Sequence, residues 1–172
     1  MWRLPFGSPD TLFGLGPHQS LTVIIFEKRR SLMIDFNTDL GKHVQKRLLN
    51  EKVIWLTTVS SDGTPQPNPV WFFWDGEYFI IFTPWNTAKL NNIDLNSSVS
   101  LNFEGATPQG GDVTVFIGSA EVENSPLDPD PGYVEKYTNL IAEVWEGRTV
   151  DDFFEEYNSV IRIQPTKLRG FF

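Results

Sequence analysis

Residues 53–95 read VIWLTTVSSDGTPQPNPVWFFWDGEYFIIFTPWNTAKLNNIDL, and this stretch decides the fold. Three runs rich in Val, Ile, Trp, Phe and Thr, over 52–60, 65–74 and 77–83, have the composition of strands. Ser61-Asp62-Gly63-Thr64 and Asp75-Gly76 separate them, and both are hairpin signals. Pro65, Pro67 and Pro69 fall on alternate positions of the second run. Each removes a ladder N–H, so that half of the strand is predicted to lie at a sheet edge or on a bulge. Residues 86–96 read as a short helix, capped by Asn86 or Thr87, with Leu90 and Ile93 facing inward.

Upstream, Asn37 and Thr38 are cap candidates for DLGKHVQKRLLN, where Leu40, Val44 and Leu48 recur every four residues as an apolar stripe. Before it, residues 1–32 stand apart, with Arg3, Lys28, Arg29 and Arg30 against only Asp10 and Glu27, and a scatter of Gly and Pro. They are read as a poorly structured N-terminal extension, a disordered arm or an edge strand, and a sharper hypothesis takes Met33 as the true start. Residues 33–172 then form one domain. Downstream, strands are predicted over 99–104, 112–123 and 160–172, and helices over 133–145 and 151–157. Antiparallel hairpins dominate and no βαβ alternation occurs. The expected architecture is mainly β (α+β), a six-stranded antiparallel barrel with peripheral helices.

The totals restrict function. The chain of 172 residues has no Cys, which excludes disulfides, thiolate catalysis and cysteine metal ligands. His18 and His43 are the only histidines and sit in no metal-ligand spacing, so no metal is expected. A net charge of −8 offers no basic stripe for nucleic acid. No apolar run approaches the ~20 residues that span a membrane, and a cytoplasmic location is expected.

Against that acidity, Lys89 is the only basic side chain between Lys52 and Lys136. It lies in the first turn of the predicted 86–96 helix, where free backbone N–H groups and the helix dipole favour an anion. Thr87 adds a hydroxyl. Thr57-Thr58 on the first strand and Pro69-Val70 on the second border the same predicted groove, and Trp71, Trp74 and Trp85 can wall a planar ring. Core packing explains any one of these tryptophans equally well.

The order WLTTVSSDGTPQPNPVWFFWDG, then YFIIFTPWNTAKLNNIDLNSSVSLNFEG, then IRIQPTKLRGFF, resembles the pyridoxamine 5′-phosphate oxidase-like split β-barrel family over roughly residues 38–172. The resemblance implies a homodimer with two flavin-type cofactors at the subunit interface. It implies that Thr83, Thr87 and Lys89 hold the cofactor phosphate, and that Thr57, Thr58, Pro69 and Val70 lie along the ring or ribityl chain, beside the Trp71 already taken as a candidate wall. It further implies that Trp145 and the C-terminal strand contribute from the partner subunit. Asn68 and Phe73 stand where vitamin B6 oxidases carry an Arg and a Lys, which argues against that substrate. Pro69-Val70-Trp71-Phe72 instead resembles the branch that uses the deazaflavin coenzyme F-420 in place of FMN. Such cofactors carry the hydride chemistry themselves, so no catalytic His, Cys or acid pair is required. The expected activity is hydride transfer between deazaflavin (F-420) or FMN and a small organic substrate. The alternatives are a barrel that binds or stores flavin or haem without turnover, and a dimeric interaction domain with no small ligand.

Overall fold

The computed structural model describes residues 34–105, 111–123 and 129–172. The N-terminal extension and the Met33 start lie outside the described residues. The elements run α1 (Asp39–Asn50), β1 (Val53–Val59), β2 (Pro65–Trp71), β3 (Phe73–Trp74), β4 (Phe79–Thr83), α2 (Ala88–Leu95), β5 (Ser98–Asn102), β6 (Val113–Glu123), α3 (Pro131–Val144), α4 (Val150–Glu156) and β7 (Ser159–Phe171). One curled antiparallel sheet has the order β2-β1-β5-β6-β7-β4-β3.

The proline-rich strand takes the edge, as its chemistry requires. It pairs only with β1, with Trp55 opposite Pro69, Thr57 opposite Pro67 and Val59 opposite Pro65. Between Pro65 and Val70 only Gln66, Asn68 and Val70 retain backbone donors. The expected single second strand is two strands, which raises the count from six to seven. Phe72 interrupts it, and its backbone N–H donates to Tyr137 Oη at 2.9 Å instead of to a neighbouring strand. The turn before β4 is also longer than the Asp75-Gly76 dipeptide alone would make it. Trp74 pairs with Phe79, and Asp75 Oδ1 accepts from the backbone of Glu77 (2.8 Å) and Tyr78 (2.6 Å). Gly76 takes φ +108°, which a side chain would resist.

β4 explains its own composition. All five residues of Phe-Ile-Ile-Phe-Thr are buried because both faces of the strand are covered. Phe79 and Ile81 join the barrel core with Ile54, Leu56, Leu101 and Phe116, which α1 closes with Val44 and Leu48 and α2 with Leu90 and Ile93. Ile80 and Phe82 face the other way, into a second core with Tyr133, Tyr137, Ile141 and Phe153 of α3 and α4. These two peripheral helices form a second layer on that face of the sheet. Their acids, including Glu135, Glu143, Asp151, Asp152 and Glu155, are exposed. The acidic segment thus covers the sheet with one side and meets water with the other.

At the far end of the sheet, buried Arg47 holds both sides of a loop mouth. Its guanidinium donates to Glu104 O at 2.6 Å and to Asp112 O at 3.1 Å, and it lies over the Phe103 ring. His43 is bonded to Asp112 Oδ1 at 2.5 Å and stacked on Phe172, far from any ligand role.

Candidate functional site

Where β4 ends beside the broken edge strand, the second layer leaves a cleft of about 360 Å³. Pro69, Val70 and Trp71 supply one side and Phe82, Thr83 and Pro84 another. Lys89 projects from α2, and Tyr133, Trp145, Phe153 and Tyr157 close the cleft from α3, α4 and the residues that end them. The wall is a chain of aromatic contacts. Trp71 lies flat on Tyr137 (centroids 4.8 Å apart, 7° between planes), 5.5 Å from Trp145 and 5.8 Å from Phe153, and Phe153 stacks on Tyr157 at 4.4 Å. Such a wall suits a flat, conjugated guest.

The polar end is built by the turn from β4 into α2. Lys89 Nζ donates to Thr83 Oγ1 at 3.1 Å, and Thr83 Oγ1 lies 3.5 Å from Thr87 Oγ1. Thr87 is the N-cap of α2, but its hydroxyl makes no bond to the first turn. It faces Thr83 instead, so the helix start keeps N–H groups that no side chain caps. Lys89 is half-buried, and among the described residues it makes no ion pair with a carboxylate. Burial alone pulls its ammonium below the usual lysine range. A desolvated cation with only a hydroxyl partner gains from an anion placed beside it. Because Thr83 accepts from Lys89, its own hydroxyl hydrogen is left to donate.

The remaining candidates divide. Thr58 is fully buried, and its Oγ1 accepts from Asn92 Nδ2 at 3.0 Å, so its side chain ties α2 to β1 rather than entering the cleft. Thr57 points to the opposite face of the sheet with Val53 and Trp55. Trp74 packs on Phe79 at 4.8 Å, and Trp85 is 71% exposed beside a separate groove. Trp145, expected to reach across from a partner, stands in the cleft of its own chain.

Sequence reasoning did not single out Phe82, Tyr133, Phe153 or Tyr157. For the last three the signal was present as aromatic residues four apart in or at the end of two helices, Tyr133/Tyr137 and Phe153/Tyr157. Nothing local says which sheet face those rings cover. Tyr133 carries a further feature. It has no exposure, packs on Phe82 (4.7 Å) and Tyr137 (4.6 Å), and among the described residues its Oη has no hydrogen-bond partner. An unsatisfied buried hydroxyl costs about 1–3 kcal/mol.

Comparisons with known proteins agree with this architecture. General Stress Protein 26 from Bacillus anthracis str. Sterne superposes with a TM-score of 0.56 at 20% identity, covering 76% of this chain and 92% of its own. HutZ, the heme storage protein from Vibrio cholerae, gives 0.54 at 17% identity, covering 78% and 96%. An F420 reductase gives 0.52 at 23% identity, covering 72% and 94%. At these identities the likeness is one of fold. No curated protein matches the chain. Residues 40–169 match the family described as pyridoxamine 5′-phosphate oxidase. That span includes β1 to β6, β7 as far as Arg169, and both walls of the cleft, and the chain belongs to this split-barrel family.

Proposed function

We propose that this protein binds FMN or the deazaflavin coenzyme F-420 in the cleft and acts as an oxidoreductase on a small, planar organic substrate. The observation that carries the reading is Lys89, a half-buried ammonium without a carboxylate partner at the mouth of an aromatic cleft. Lys89, the Thr83 hydroxyl and the uncapped start of α2 would hold the phosphate. The Pro69–Val70 backbone and the Trp71 ring would border the flat ring system. When bound, the cofactor supplies the hydride chemistry, and the protein supplies orientation and exclusion of water. The family and the structural likeness to an F420 reductase support this reading.

The reading includes a homodimer. On the outer face of the sheet Val53 and Trp55 are 41% and 37% exposed, and Val115 and Ile117 share that face two strands away. A second copy covering this patch would bring Thr57 to the edge of the interface. Light scattering of wild type beside Trp55→Glu tests it: a dimer that becomes a monomer is the expected result.

Cofactor binding is tested by titrating FMN and coenzyme F-420 into wild type and Lys89→Ala. The expected result is binding by wild type and a loss of about tenfold or more in the variant. Equal affinity in both proteins would remove Lys89 as the anchor. Storage of haem is the second reading; among the described residues the cleft offers tyrosines rather than a histidine as axial ligands.

A further inference from the structure

We propose that the Tyr133 hydroxyl is the donor by which this cleft recognises the ring of its ligand, bonding to an acceptor atom on the ring edge once the ring is in place. The inference rests on the cofactor reading above. Tyr133 lines the cleft, its side chain has no exposure, and among the described residues its oxygen has no hydrogen-bond partner. Its neighbour Tyr137, one turn along the same helix, shows what a settled phenol looks like here: three backbone partners within 2.9 Å. The contrast places the unused bond at the residue that faces the cleft.

The chemistry of the partner follows from the group. Burial raises the Tyr133 phenol well above its ordinary range, so it keeps its proton at neutral pH and acts as a donor rather than a base. The rings packed on it are Phe82, Phe153, Phe154 and Tyr137, whose one oxygen is already engaged, and the Tyr157 phenol lies near without bonding to it. An acceptor carried on the edge of a flat apolar body would complete this hydroxyl's bonding. The carbonyl-bearing edge shared by flavins and deazaflavins has that form.

Because the oxygen is enclosed, the ring meets it only as one wall yields. That wall is α4, seven residues long, whose ties are aromatic packing, an exposed capping box at Thr149 and an exposed ion pair between Arg148 and Glu156. Short elements with exposed ties open at low cost.

The test uses wild type, Tyr133→Phe and Lys89→Ala. Each is titrated with FMN, with riboflavin (the same ring without phosphate) and with coenzyme F-420, and each is melted without ligand. Tyr133→Phe is expected to unfold at or above the wild-type temperature, since it loses an unbonded hydroxyl. It is expected to bind whichever rings wild type binds about tenfold more weakly, FMN and riboflavin alike. Lys89→Ala is expected to lose only the preference for the phosphorylated form. Wild-type affinity in Tyr133→Phe overturns the inference and leaves the cofactor reading standing. So does a ligand-free Tyr133→Phe that melts several degrees lower, because the hydroxyl would then already be bonded within the fold. A wild type that binds none of the three overturns the cofactor reading and takes the inference with it.

Discussion

Tyr137 Oη lies 2.9 Å from the backbone nitrogen of Phe72 and 2.7 Å from its carbonyl oxygen. One hydroxyl thereby satisfies the residue at which the second strand breaks, 65 positions away in the chain. Lys136 Nζ donates to the same carbonyl at 3.1 Å and to Leu48 O at 3.3 Å, and it sits 3.8 Å over the Phe72 ring. The break that ends β2 is thus set from α3, and it fixes the backbone next to Trp71, a wall of the cleft.

Tyr137→Phe should leave the buried Phe72 N–H without an acceptor. The expected cost is about 1–3 kcal/mol, read as a lower midpoint in urea with an unchanged slope. Weaker binding of riboflavin should accompany it, because the backbone next to Trp71 loses the hydroxyl that holds Phe72.

Thr58→Val tests the tie between α2 and β1. It strands the Asn92 amide in a buried position and should cost about 1–3 kcal/mol. Since α2 carries Lys89, the variant should weaken FMN more than riboflavin. Equal weakening would mean that Thr58 shapes the ring site rather than the phosphate seat.

Stability should rise with pH before it falls. Burial lowers Lys136 to about 8, against 10.5 for an ordinary lysine. Below 8 both folded and unfolded chains carry this proton, and the cost of burying the charge is felt in full. From about 8 to 10.5 the folded state releases it first, so the unfolded state binds more protons and stability increases with pH. Lys89 is shifted in the same direction. Beyond about 10 the sign reverses, because Tyr133 and Tyr137 are raised by burial and stay protonated in the fold while unfolded tyrosines ionise. Melting of ligand-free protein at constant ionic strength should show this rise and fall, and Lys136→Met should flatten the rise.

Gly118→Ala should damage the sheet where β7 bulges at Thr166 opposite β6. A Cβ there would lie 2.5 Å from Gln164 O on β7, where the register shifts between Ile117 and Gly118. Backbone cannot turn aside as a side chain can, and a loss of about 1–3 kcal/mol in chemical unfolding is expected.

Local chemistry in the chain determined the strands, the turns and the polar end of the site. Alternate prolines cannot donate, so they demand an edge. Asp-Gly and Asp-Gly-Thr make turns within a few residues. Thr83, Thr87 and Lys89 are brought together by one strand-to-helix turn, which is why their grouping was legible. Tertiary structure decided what depends on distant partners: the break at Phe72 made by Tyr137, the burial of both faces of β4, the withdrawal of Thr58 to bind Asn92, the placing of Trp145 in its own chain's cleft, and the unbonded oxygen of Tyr133. Periodicity tells which side of a helix is apolar, but the surface that side will cover is chosen only when long-range packing closes the chain.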